Sequence, residues 1–394
     1  MRLFGNSKHS KHVSGRKYRR ETARMEDDRD YDAVDNRKTK KKKSKKKKRK
    51  GRRVLVVILF ILLALAAVGF AIVKGYIKPP SDIGGILRPG GAGGINGSDS
   101  EGEPAGRYEG KYTFLLLGKD KVSGSTDTIM VGTFDAKNYK IEIVSIPRDT
   151  VVNVHWSTKK ANTLYYSDDP QKTKDGFSDL LGYEIDFYAV VDLDAFVKLV
   201  DSIGGVWYDV PDVEGNGQGM NYEDPEQNLY IHLQPGYQLL DGENAIGIVR
   251  YRKGYSDQDI GRISSQQNFL KSAAKQIIEN KDKLNISEIL SIFLNYVETD
   301  LNYGECAWFA KELLKMDAEN INFHTMPGKY DDYIGGRSYV TIYVDQWLEM
   351  INTYLNPFDR DIEEENLNVL TRDPSTGRIY STSGQYAGDP GWGN

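Results

Sequence analysis

From Val54 to Val73 the chain runs for 20 residues without a charge, VLVVILFILLALAAVGFAIV. As a helix at 1.5 Å per residue this run is about 30 Å long, the thickness of a bilayer's hydrocarbon core. A cleaved signal peptide has a shorter apolar region, about 7–15 residues, followed by a small-residue cleavage site. Here the run is longer and a long polar segment precedes it, so residues 54–74 are expected to form one uncleaved transmembrane helix. Immediately before it, the 17 residues from Arg37 to Arg53 include 14 Lys or Arg. Such a block repels itself, favours the cytoplasmic side and suits anionic headgroups. The expected topology is a single-pass cell-membrane protein, N-terminus cytoplasmic and C-terminal domain extracellular.

Charge divides the chain in the same place. Residues 1–53 carry 23 Lys and Arg against 7 Asp and Glu, a net +16, which leaves −19 for the remainder. An acidic body argues against nucleic acid as a partner. The single cysteine, Cys306, excludes an intrachain disulfide, and the five histidines show no HExxH spacing, which argues against zinc. Residues 1–53 read as a disordered basic tail. Residues 75–110, rich in Gly, Pro and Ser, read as a flexible linker. The folded body is expected over 111–355, and a loosely ordered tail over 356–394.

Within the body, Tyr112–Leu117, Thr128–Phe134 and Lys140–Ile146 read as strands, each delivering polar residues at an end. Phe187–Val191, Val206–Val210 and Asn320–Met326 are further strands. Leu193–Ile203, Glu243–Val249, Gly261–Glu279, Ile286–Val297, Tyr303–Met316 and Val344–Leu355 read as helices. Interleaved strands and helices define an α/β fold, a central mixed sheet flanked by helices.

The segment Asp241–Leu270 concentrates chemistry: Arg250, Arg252 and Arg262, with Gln266 and Gln267. On a helix from Gly261, Ile263, Leu270, Ala274 and Ile277 form an apolar stripe, and Arg262 and Gln266, four apart, share a face beside it. Planar guanidiniums grip phosphate oxygens bidentately. Adding Asp120, Asp127 and Arg148 at strand ends gives a set with arginines and carboxylates but no histidine or cysteine. That set suits a phosphate held with Mg²⁺ (or Mn²⁺), which takes one or two carboxylates plus phosphate and water. The plain alternatives are helix caps or turns for Asp127 and Asp149, and surface ion pairs for the arginines.

These residues sit in pieces that resemble the LytR-CpsA-Psr cell-wall enzymes. The pieces are Leu115-Leu116-Leu117-Gly118-Lys119-Asp120, Thr126-Asp127-Thr128-Ile129-Met130, Ser145-Ile146-Pro147-Arg148-Asp149-Thr150 and Val200-Asp201-Ser202-Ile203-Gly204-Gly205-Val206. They continue with Leu240-Asp241-Gly242, Val249-Arg250-Tyr251-Arg252, Asp259-Ile260-Gly261-Arg262 and Gln266-Gln267. Their order and spacing together carry the resemblance. It implies transfer of a glycopolymer phosphate, such as teichoic acid or capsule, from a polyprenyl-pyrophosphate-linked glycan to peptidoglycan at the membrane lipid surface. It implies metal binding by Asp120 and Asp127, pyrophosphate binding by Arg148, Arg250, Arg252, Arg262 and Gln266, and catalytic roles for Asp127, Arg148 and Arg252. The family often has arginine where Ser125 and Ser265 stand. Two other readings are a non-catalytic lipid-pyrophosphate or wall sensor, and a polyprenyl-pyrophosphate pyrophosphatase.

Overall fold

The structure, a computed structural model, describes residues 78–80, 86–87, 103–104, 106–119, 126–225, 229–255 and 258–387. The run expected to span the membrane, most of the linker, and both Asp120 and Ser125 lie outside the described residues. Among the described residues no helix is long and apolar enough to cross a membrane.

Three consecutive strands form the centre: β1 (Lys111–Lys119), β2 (Thr126–Asp135) and β3 (Lys140–Ser145). All three are buried along nearly their whole length, as strands covered on both faces are. β4 (Phe187–Asp192) lies parallel to β1, and the order is completed by the short β9 (Glu298–Thr299) at one edge and β10 (Ile321–Thr325) at the other. The six-stranded order is β9-β4-β1-β2-β3-β10, with β1/β4 and β3/β10 parallel and the rest antiparallel. The sheet is mixed and flanked by helices, as expected.

Alternate side chains of β1 feed two cores. Tyr112, Phe114 and Leu116 face a layer that contains α2 (Leu193–Ser202), α3 (Gly242–Arg250), α4 (Gln258–Glu279), α5 (Ile286–Tyr296) and α6 (Tyr303–Leu313). Leu115 and Leu117 face α1 (Pro170–Leu181) and α7 (Val344–Met350), which continues as a π-helical turn over Ile351–Leu355. There the buried Trp347 donates from Nε1 to Leu180 O at 2.7 Å, so its one polar atom is satisfied.

β5 (Val206–Val210) stands outside the central sheet, paired antiparallel with β8 (Gly236–Leu240). The turn into it needs Gly205, whose φ is +84° and whose added Cβ would lie 2.7 Å from Leu240 O. Beside this hairpin are β6 (Met220–Asp224) with β7 (Leu229–Leu233), and further on β11 (Gly328–Ile334) with β12 (Arg337–Ile342).

One expectation is corrected. Residues 356–387 are not a loose tail: β13 (Leu370–Arg372) pairs with β14 (Ile379–Ser381), and Phe358, Ile362, Leu367 and Val369 are buried in the second core. Their apolar side chains are widely spaced in a polar stretch, so low average hydrophobicity concealed a segment that completes the core. Polar pairs reinforce the attachment: Asn368 Nδ2 donates to Asp179 Oδ2 at 3.1 Å, and Asn368 Oδ1 accepts from Asn153 Nδ2 at 2.7 Å.

Candidate functional site

The strand ends and α4 bring four chain-distant residues together. Asp127, the second residue of β2, is 6% exposed. Arg148 follows β3 past Pro147, where the strand ladder ends, and its Nη1 donates to Asp127 Oδ1 at 2.8 Å. Arg252, two residues beyond α3, brings Nη2 to 3.9 Å from Asp127 Oδ2. Arg262, in the second turn of α4, donates from Nη2 toward Asp259 Oδ1 at 3.1 Å, and Arg148 Nε lies 3.9 Å from Asp259 Oδ2. Asp259 therefore joins Arg148 and Arg262. Asp149, 3.9 Å from Arg148 Nε, is held by Lys160 at 3.0 Å.

Charge in this cluster is unevenly satisfied. Burial disfavours ionised Asp127, but Arg148, Arg262 and Arg252 outweigh it and hold the carboxyl below its ordinary range. Arg262 is 1% exposed, and burial, then repulsion from Arg252, pushes its pKa down to about 9. At neutral pH it is charged. Its Nε and Nη1 are buried with no hydrogen-bond partner among the described residues. A buried guanidinium with two unmet donors costs stability, about 1–3 kcal/mol per unmet group.

Gln266 is placed differently from expectation. It is 1% exposed and its Nε2 donates to Val249 O at 3.0 Å. That amide nitrogen is committed to holding the end of α3, which carries Arg250 and leads to Arg252, against α4. Arg250 itself is buried in the last turn of α3, where the helix carbonyls favour a cation. Gln267 also positions: its Nε2 reaches Ser145 Oγ at 2.9 Å, His324 O at 2.8 Å and Thr325 Oγ1 at 3.1 Å, tying α4 to the ends of β3 and β10.

Two local features shape α4 near Arg262. Gly261 leaves room for the Tyr255 ring, since a Cβ there would approach it to 2.2 Å. The Tyr255 hydroxyl then hydrogen-bonds Ser265 Oγ. Ser265, where the family resemblance leads one to expect arginine, is buried and paired with the Tyr255 hydroxyl. The sequence reading did not single out Asp259. Its i,i+3 spacing to Arg262 on a helix is the signal that would have found it.

For a divalent ion, the described residues offer Asp127, whose Oδ2 lies outside the Arg148 hydrogen bond. No group of three His, Cys, Asp or Glu that could hold a metal occurs among the described residues. A divalent ion at Asp127 would therefore need oxygens from a bound phosphate and water to complete its shell.

A mixed α/β body that gathers a partly buried cluster of arginines and aspartates at its strand ends has the form in which open α/β sheets place their sites. The chain belongs to the LytR_cpsA_psr family, whose model matches residues 95–356. Regulatory protein MsrR of Staphylococcus aureus is 28% identical over 200 residues, 50% of this chain and 58% of MsrR. The polyisoprenyl-teichoic acid–peptidoglycan teichoic acid transferase TagV of Bacillus subtilis is 27% identical over 220 residues, 53% of this chain and 55% of TagV. The chain thus matches little more than half the length of these relatives. The crystal structure of B. subtilis TagV superposes with a TM-score of 0.50 at 24% identity, covering 62% of this chain and 96% of that one. A structure of TagT bound to LIIa-WTA gives a TM-score of 0.50 at 20% identity, covering 67% and 95%. These structural likenesses concern the fold.

Proposed function

We propose that this protein is a membrane-anchored phosphotransferase that moves a glycopolymer phosphate from a polyprenyl pyrophosphate to peptidoglycan. The observation that carries the proposal is Arg262: charged, dry, with two unmet donors, and in the mutual field of Arg148 and Arg252. A diphosphate meets those donors and relieves that repulsion. The name of TagV describes this type of transfer, and the apolar run ahead of the body would hold the site beside a lipid carrier.

The residues divide the work. Arg148, Arg252 and Arg262 bind the diphosphate and neutralise charge that develops as the phosphoryl bond breaks. Asp127 orients Arg148; its depressed pKa makes it a weak base, so catalysis rests on positioning and charge rather than on proton abstraction by this carboxylate. Gln266 and Gln267 hold the arginine-bearing segments in register. When bound, Mg²⁺ or Mn²⁺ on Asp127 would further neutralise the phosphate oxygens, with Asp120 as its expected second carboxylate.

The test supplies the protein with a lipid-pyrophosphate glycan, peptidoglycan and Mg²⁺. Arg148→Ala and Arg262→Ala are each expected to lower turnover by about 100-fold or more. Turnover equal to wild type in both would refute the assignment. Lipid-pyrophosphate binding without product would support the sensor reading, which the serine at position 265 favours. Phosphate release without peptidoglycan would indicate a pyrophosphatase.

A further inference from the structure

The outer face of the β5–β8 hairpin carries large rings where a soluble surface ordinarily carries polar groups. Trp207 is 46% exposed and Tyr237 70% exposed, and their rings stack at 5.3 Å with 17° between planes. Leu239, also exposed, is the cross-strand partner of Trp207. A contiguous aromatic patch of this kind marks a binding surface. The stacked rings hold one another, so little motion is lost when a ligand lies on them.

The platform is fixed from below. Gln276 of α4 accepts from Trp207 N at 3.0 Å and donates to Gly205 O. It also borders an open cleft of about 500 Å³, which Trp207 and Leu239 share with Asp201, Asn280, Lys283 and Glu288. The cleft lining mixes donors and acceptors. Lys283 donates to Asn280 Oδ1 at 3.0 Å, and Asp201 Oδ1 accepts from Gly242 N at 2.8 Å. Flat rings beside convergent amides, carboxylates and an ammonium suit a ring-shaped ligand with apolar faces and hydroxyl or amide edges. Asp201, Glu288 and the exposed Asp209 on the same hairpin face disfavour a polyanion or an anionic lipid surface. The concavity likewise does not match a flat bilayer.

We propose that this face is a binding site for an uncharged amino-sugar chain, a glycan strand of the wall. The inference rests on the transferase reading for its choice of polymer and adds an acceptor-side anchor to it. Gln276 lies 14 residues along α4 from Arg262, about 21 Å at helical rise, so the site grips the wall at a distance from the chemistry.

The test titrates the full chain, reconstituted in phosphatidylglycerol vesicles, with a soluble N-acetylglucosamine tetramer. Saturable binding is expected, weakened about tenfold by Trp207→Ala and similarly by Tyr237→Ala. Tyr237 is mostly in solvent, so its variant keeps the fold and reports binding if Trp207→Ala disturbs the hairpin. Arg148→Ala is expected to bind the tetramer as wild type does. No saturable binding, or binding by both ring variants as tight as wild type, overturns the proposal. So does stronger competition by polyglycerol phosphate than by unlabelled tetramer. Quenching of Trp207 fluorescence by brominated phosphatidylglycerol, read against Trp207→Phe, would place the face on the bilayer and also overturn it. If transfer fails in every form while the rings still bind sugar, the transferase reading falls and this site stands. If transfer proceeds with binding indifferent to the rings, the reverse holds.

Discussion

Burial raises the pKa of the Asp127 carboxyl, and Arg148, with Arg262 and Arg252, more than reverses that. A carboxyl that is more acidic folded than unfolded adds stability above its unfolded pKa, about 4, and loses it as pH falls through the lower folded value. Asp127→Asn is therefore expected to cost on the order of 2 kcal/mol near neutrality, with the difference from wild type shrinking as pH drops below about 4. Thermal melts across that range measure it; a constant difference would mean that the pairing contributes nothing. Asp127, Arg148, Arg252 and Arg262 were legible because several arginines and a carboxylate recur at strand ends in an order that resembles one family, whereas singly each also suits a cap or an ion pair, and Asp259 went unnoticed for that reason. The role of Gln266 was not legible. Its spacing from Arg262 was visible, but which partner its amide would choose depends on where the end of α3 folds back, and Val249 O is 17 residues away.

Helix α4 carries most of the positioning. Its N-terminal part presents Asp259 and Arg262, its middle ties to two strands through Gln267, and its C-terminal part supports β5 through Gln276. Gln267→Ala removes a nitrogen that meets three acceptors. An expected loss of about 1–3 kcal/mol follows, together with a fall in kcat larger than any change in KM, because Arg262 shifts with the helix. Combined thermal melts and kinetics check this; unchanged values for both would show that the helix is held without that amide. At this scale β1 could be read from its apolar run and β3 from its alternation of polar and apolar residues. α1 could not: PQKTKDGFSDLL is polar on average, although Asp169 capping Lys172 N and Pro170 in the first turn are start signals that sequence inspection could have used. The three-residue strands of the C-terminal hairpin have no periodicity long enough to detect.

Across the whole molecule, two cores share one sheet, and the second is closed by residues beyond 355. Phe358, Ile362, Leu367 and Val369 are all buried there. At about 1.5–3 kcal/mol for each large buried apolar side chain, their sum is comparable to the entire stability of a typical domain, about 5–15 kcal/mol. A chain ending at residue 355 is expected to lose cooperative thermal unfolding and to be rapidly proteolysed within the body. A sharp melt near the wild-type temperature would contradict that. The resting fold also keeps Arg262 dehydrated beside two other cations with part of its hydrogen-bonding capacity unspent. On the proposed reading, the donors that would favour a diphosphate are the same ones that cost the fold stability, so affinity and thermal stability are expected to trade against each other at this one side chain.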